Sequence, residues 1–350
     1  MTSQVTLTPL IVLFGGQSAE HDVSCVTAKH VLDAARTERY DIIPIGISRA
    51  GAWSKVTFSP ELEALDPSGE PVDPFVVLRD VAASGGAVLP LLHGPMGEDG
   101  TIQGLCELTN VVYVGSGVLG SALAMDKIAA KNALAAAGIP QAAWHGFNAD
   151  EITKATAPNL LESLGTPVFV KPANMGSSVG VSRASTVAEV REALDLAASY
   201  DEWIVVEEAI NGREIEIAVL GNRTPRTSLP GEIIAGADFY TYEDKYQNGI
   251  AKLVIPAPLD DSEIAEMQSL AVAAFKALRV DGLARADFFY EPTGRGWLVN
   301  ELNTMPGFTP ISMYPKMWQA SGLEYPDLID ELVELAFDRH NRRPMNTARL

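Results

Sequence analysis

Three apolar runs lie in the first hundred residues, PLIVLFGG at 9–16, YDIIPIGIS at 40–48 and AVLPLLHG at 87–94, and each ends in glycine or a small polar residue. Runs this short without polar alternation predict parallel strands covered on both faces. Between the first two, Val23, Val26, Thr27, His30, Val31 and Ala34 recur at helical spacing. The first third therefore predicts a βαβ sheet. Residues 50–86, rich in Pro, Gly and Asp, predict an insertion.

A second unit starts near Gly117 with the helical stretch KIAAKNALAAAG, stopped by Gly138 and Pro140, and continues through strand and helix signals to EWIVVEEAI. The third holds GREIEIAVLG, KLVIPAP, GLARADFFYEP and RGWLVNELN, strands in hairpin-like succession. One clear helix accompanies them, with Ile264, Met267, Leu270, Ala271, Ala274, Phe275 and Leu278 on one face. The expected fold is α/β and α+β: a Rossmann-like parallel-sheet unit over 1–116, a central unit over 117–210 and a third over 211–350.

Composition narrows the function classes. A chain of 350 residues, 47% hydrophobic, can bury a sizeable core and is too long for one compact unit. Its net charge of −19, with Lys and Arg scattered, leaves nothing to track a phosphate backbone, which argues against nucleic acid. Cys25 and Cys106 form no CxxC pair, so a disulfide framework or zinc ribbon has no raw material and a reducing cytosol fits best. The opening MTSQVTLTPLIVLFGG lacks a charged n-region, and its apolar stretch is strand-sized, which predicts a soluble protein without a membrane span.

Chemistry gathers at several points. On the strand GLARADFFYEP, Arg285 and Asp287 share one face, and on WLVNELN so do Glu301 and Asn303. The turn at 291–296 would bring Asp287 opposite Glu301 and Asn303 as hard oxygen ligands beside an arginine, which suits Mg²⁺ shared with phosphates; a solvated strand face is the alternative. The strand PVFVKP ends in Lys171, followed by ANMGSSVG, whose small residues would let backbone N–H groups close over phosphate oxygens, although alone the loop reads equally well as a hairpin turn. Gly115, Gly117 and Gly120 spell G-x-G-x-x-G, yet mid-chain and without an acidic residue closing the next strand, which speaks against a dinucleotide site. Glu20, in GGQSAEHDVS, sits near a helix start and could hold a ligand ammonium, and His93 stands at the carboxyl end of a strand, where ligands bind in such sheets. The segment DFYTYEDKYQNG, with Tyr240, Tyr242, Lys245 and Tyr246, could serve as a lid or as a protein contact.

In order, GGQSAEHDVS, HGPMGEDGTIQG, MDK, FVKPANMGSSVG, FYTYEDKY, ARADFF and NELNTMPGFT resemble the D-alanine:D-alanine ligases of the ATP-grasp superfamily, from about residue 9 to 320. The resemblance implies a three-domain ATP-grasp fold and a cytoplasmic, homodimeric enzyme that joins two D-alanines for peptidoglycan and cell-shape maintenance. It would use ATP and two Mg²⁺ ions, with Mn²⁺ as a substitute. Carried over by position, Lys127 and Lys171 would contact ATP phosphates, and Glu207, Ile210, Glu214 and Phe289 would surround adenine and ribose. Asp287, Glu301 and Asn303 would bind the metal ions. Glu20 would hold the first D-alanine's ammonium beside His93, and Ser177 with Tyr246 would link the lid to Glu20. Arg285 and the Gly307 backbone would stabilise the oxyanion, Ser312 and Met313 would receive the second D-alanine's carboxylate, and Lys245 would reach ATP on lid closure. Glu208 stands where some relatives carry Lys. A D-alanine:D-lactate ligase is the nearest rival, and Tyr246 in the lid favours the dipeptide.

Overall fold

A computed structural model describes residues 7–61, 63–234 and 252–342. The segment read as a lid, with Lys245 and Tyr246, lies outside them.

The first unit comprises β1 (Thr8–Gly15), α1 (His21–Ala34), β2 (Tyr40–Ile47), β3 (Trp53–Lys55), β4 (Glu70–Pro71), α2 (Pro74–Ala83), β5 (Ala87–Pro90), α3 (Thr101–Thr109) and β6 (Val112–Tyr113). They form one six-stranded sheet, order β4-β3-β2-β1-β5-β6, with β2, β1, β5 and β6 mutually parallel. Leu10 to Phe14 are completely buried, which is why this central strand reads as an unbroken apolar run. The predicted strand at 87–94 is shorter than its apolar run, because β5 ends at Pro90 and the chain then turns through His93.

Residues 50–86 correct the expectation of an insertion. β3 and β4 extend the sheet edge antiparallel, and Asp73 caps α2 by accepting from Val76 N at 3.0 Å, with Pro74 in the first turn. Strands of three and two residues are too short to show period 2 in a loop-like composition.

The second unit carries α4 (Val118–Met125), α5 (Lys127–Ala136), β7 (Trp144–Asn148), α6 (Thr156–Leu164), β8 (Val168–Pro172), β9 (Ser182–Ala184), α7 (Val187–Ala198) and β10 (Trp203–Glu208). Its antiparallel sheet runs β7-β10-β8-β9 and is covered by α6 and α7. Gly120 presses against the protein's own backbone, where a Cβ would lie 2.6 Å from Arg279 O, while Gly115 sits at φ +95. These two glycines of the G-x-G-x-x-G string serve packing and the turn.

The third unit has β11 (Arg213–Gly221), β12 (Arg226–Thr227), β13 (Gly231–Ile234), β14 (Lys252–Val254), α8 (Asp261–Ala277), β15 (Gly282–Glu291), β16 (Gly296–Asn303), α9 (Met313–Ala320) and α10 (Tyr325–Asn341). Its sheet runs β14-β13-β11-β15-β16. α8 buries Met267, Ala271, Ala274 and Phe275 on it, on the face expected from spacing. Two helices, α9 and α10, stand beyond the single one expected. α10 returns to the first sheet, where Leu328, Leu332 and Val333 share a core with Leu10 and Val12, and Tyr40 donates to Asp330 at 2.7 Å. α4 and α5 likewise join the core of the third sheet through Ala124, Ala130 and Leu134.

Candidate active site

The three units meet where β1, β5, the loop after β8 and the β15–β16 hairpin end. Glu20 precedes α1 and is buried, and its carboxylate accepts from Ser177 Oγ, which arrives from the loop after β8. Two glycines make room for it: a Cβ on Gly94 or Gly176 would lie 2.9 or 3.0 Å from Glu20 Oε2. Gly94 has φ +75, a backbone region glycine adopts freely.

His93 is buried, with Nδ1 3.1 Å from Met305 O. A carbonyl only accepts, so Nδ1 carries the proton and Nε2 is left as an acceptor. Nε2 has no partner among the described residues, and burial lowers the ring's pKa. A cavity of about 190 Å³ lies beside it, walled by Ser18, Leu92, Ile102 and Leu105 among others, large enough for a small organic group.

The loop after β8 places Ser177, Ser178 and Gly180 at φ 47, 59 and 72. Two tight turns close the loop, Val179 N–H donating to Gly176 O at 3.0 Å and Val181 N–H to Ser178 O at 3.3 Å, and turns of small residues are where backbone can approach anions closely. The loop is anchored by Asn174, whose backbone N–H donates to Asp201 at 2.7 Å and whose amide donates to Asp126 at 3.2 Å. Lys127 Nζ donates to Met175 O at 2.6 Å, and burial lowers its pKa. Lys171, entering the loop, donates to Glu207 Oε2 at 2.7 Å, and despite burial that carboxylate raises its pKa. Glu207 is itself pushed up by burial and pulled down further by Lys171 and Lys131, to about 2. Glu214 stands opposite Phe289 in the β11–β15 register, close to the end of β10 where Ile210 lies. Glu208 takes Ala143 N and Arg295, both at 2.6 Å.

The carboxylate hairpin forms as its alternation requires. Asp287 stands directly opposite Glu301, and Arg285 opposite Asn303. A bulge leaves Asn300 unmatched, since Phe288 pairs with Val299. Arg285 grips both Asp287 oxygens at 2.7 Å, and its Nε lies 3.1 Å from Glu216 on β11. These carboxylates hold its pKa well above the usual value in spite of burial. Asn303 donates to Asp287 at 3.0 Å. Two carboxylates and an amide oxygen on one face fit a hard divalent cation. Among the described residues no third His, Cys, Asp or Glu joins them, so substrate oxygens would complete the shell.

Ser312 stands at the N-cap position of α9 without a capping hydrogen bond; its Oγ accepts from Thr309 N at 3.1 Å, and a Cβ on Gly307 would meet that Oγ at 3.1 Å. The Met313 side chain is buried in the core, and its backbone N–H lies in the first turn of α9.

Three residues escaped the sequence reading. Glu216 sits two residues after Glu214 on β11 and opposite Asp287. Lys131 lies one helical turn after Lys127 and 2.9 Å from Glu207 Oε1. Glu98 binds Gly94 N at 2.8 Å, and burial, then the nearby Glu20, raises its pKa to about 8. Lys131 and Glu216 carried a spacing signal, i+4 on a helix and i+2 on a strand.

The three-unit architecture and this ring of lysines, loop and carboxylates define the ATP-grasp fold. Within that class, the family described as "D-ala D-ala ligase N-terminus" matches residues 9–116 and "D-ala D-ala ligase C-terminus" matches 133–334. A D-alanine–D-alanine ligase of Bacillus pumilus (strain SAFR-032) is 47% identical over 349 residues, 95% of this chain and 96% of the relative. The solved D-alanine–D-alanine ligase of Coxiella burnetii is 39% identical with TM-score 0.82, covering 95% of this chain and 96% of that one. The VanG D-Ala:D-Ser ligase of Enterococcus faecalis also scores 0.82, at 35% identity over 95% of this chain and 100% of that one. The chain belongs to the D-alanine–D-alanine ligase family.

Proposed function

We propose that this chain couples two D-alanine molecules at the expense of ATP, through a D-alanyl phosphate, to supply the dipeptide for peptidoglycan. The observation that carries this is the Glu20–Ser177 hydrogen bond, which joins an ammonium-binding carboxylate to a phosphate loop. A D-alanine held by its ammonium at Glu20 can present its carboxylate to the γ-phosphate of ATP only if those two elements share a site.

Lys127 and Lys171 meet the ATP phosphates, and Glu207, Ile210, Glu214 and Phe289 surround adenine and ribose. Glu20 holds the ammonium of the first D-alanine beside His93. The carboxylate oxygen of that D-alanine attacks the γ-phosphorus in line, ADP leaves, and the lysines and Arg285 offset the charge that develops. The amine of the second D-alanine, once deprotonated and with its carboxylate at Ser312 and the Met313 N–H, attacks the acyl carbon. Arg285 and the Gly307 N–H stabilise the oxyanion, and inorganic phosphate leaves. Asp287, Glu301 and Asn303 would hold two Mg²⁺, for which Mn²⁺ could substitute, and which would supply charge neutralisation at the phosphates. Closure of the lid that the resemblance implies, with Tyr246 and Lys245 outside the described residues, would exclude water that would hydrolyse the acyl phosphate.

We also read the chain as three units (1–116, 117–210 and 211–350), as a homodimer and as cytoplasmic. Among the described residues no helix is long and apolar enough to cross a membrane. Sedimentation tests the assembly, and a monomeric mass contradicts it. The function is tested by following ADP with D-alanine, L-alanine, or D-alanine plus D-lactate or D-serine, and weighing the products. Dipeptide from D-alanine alone supports the assignment; a depsipeptide or a D-Ser product as the main species at neutral pH moves it to those branches.

A further inference from the structure

Two buried ammoniums share one carboxylate behind the phosphate loop. Lys171 Nζ lies 2.7 Å from Glu207 Oε2, Lys131 Nζ lies 2.9 Å from Oε1, and the three side chains are 14%, 3% and 4% exposed respectively. Only one of the two cations belongs to an element that enters the loop. Lys171 ends the strand that becomes the loop, whereas Lys131 sits on α5 one turn past Lys127, whose own ammonium already touches Met175 O at 2.6 Å. Gln141 fixes the backbone there, its amide donating to Lys131 O at 2.8 Å.

We infer that Lys131 is a positioning residue whose ion pair with Glu207 frees Lys171 to move to the nucleotide phosphates, an inference that rests on the nucleotide site proposed above. A buried carboxylate stripped of every cation is heavily penalised. With Lys131 in place, Glu207 stays compensated and oriented when Lys171 departs. Without it, Lys171 is the sole counter-ion among the described residues, and each phosphate contact must be taken from Glu207. Lys131 touches no substrate and acts through its two neighbours.

Calorimetric titration of wild type and Lys131→Met with Mg-ATP and, separately, with adenosine tests this. Adenosine carries no phosphate and makes no demand on Lys171. ATP affinity is expected to fall roughly tenfold or more, the scale of one charge-assisted contact, while adenosine affinity stays within about twofold. Equal losses for both ligands, the signature of a merely structural lysine, overturn the inference, as does an unchanged ATP affinity. A wild-type protein that binds neither ligand overturns the nucleotide site itself. Should Lys131→Met not fold, Lys131→Gln decides by the same comparison: ATP affinity is expected to fall while adenosine affinity holds, and an equal loss for both ligands or no loss for ATP overturns the inference.

Discussion

Replacing Arg285 separates its structural from its chemical role. Its guanidinium makes two 2.7 Å hydrogen bonds to Asp287 and lies 3.1 Å from Glu216, and the side chains of Arg285, Glu216 and Asp287 are only 17%, 7% and 13% exposed. Solvent therefore screens these pairs weakly. Arg285→Met leaves two carboxylates without their cation, a change of about 3–5 kcal/mol. At roughly 2–4 °C per kcal/mol, Tm should drop by about 6–20 °C. Arg285→Lys keeps the charge but cannot fork onto both Asp287 oxygens, so the loss shrinks to about 1.5–3 kcal/mol. The rate is not expected to recover in parallel, because a lysine misplaces the donor proposed above to meet the oxyanion: ADP release should stay down by roughly 10²–10³. Calorimetric melting and a coupled ADP assay on both variants provide the check. A Met variant melting within about 3 °C of wild type, or a Lys variant with full activity, would contradict these expectations.

Other expectations are more local. Ser177→Ala removes the hydroxyl bound to Glu20 and should raise KM for D-alanine by roughly tenfold or more at saturating ATP, in steady-state kinetics. Gly94→Ala places a Cβ 2.9 Å from Glu20 Oε2 at φ +75, so D-alanine binding should suffer while ATP binding, measured by titration, holds. Burial lowers the His93 pKa, so its contribution to stability is present above the ordinary imidazole value of about 6.5 and is lost as pH falls below it, where the unfolded ring takes a proton that the folded ring resists. Urea unfolding at pH 7.5 and 5.5 should show that acid loss shrinking in His93→Gln. Chelation should abolish ADP release, and Mg²⁺ should restore it.

Much of this site was legible because strand periodicity is strict. Arg285 and Asp287 two apart, and Glu301 and Asn303 two apart, could face one another only on one side of a hairpin, and they do. The bulge at Asn300 was not legible, since one extra residue leaves no trace in composition. β3 and β4 escaped because strands of three and two residues carry no period. α10 did carry its signal in Leu328, Leu332, Val333 and Ala336, but its apolar face is matched to the first sheet, a partner some three hundred residues away that local spacing cannot name. The ion pairs of Lys131 and Glu216 depend on which helix lands behind which strand. Met313 shows the converse: its place in the chain suggested a substrate contact, while packing took its side chain into the core and left the backbone N–H.

The most direct test of the central claim, that a carboxylate is activated by phosphoryl transfer, follows an oxygen atom. D-alanine labelled with ¹⁸O in its carboxylate is incubated with ATP, Mg²⁺ and the purified protein, and the released phosphate is examined by mass spectrometry. Passage through D-alanyl phosphate predicts one ¹⁸O in each phosphate formed, together with D-alanyl-D-alanine. Unlabelled phosphate accompanying dipeptide formation would contradict the account.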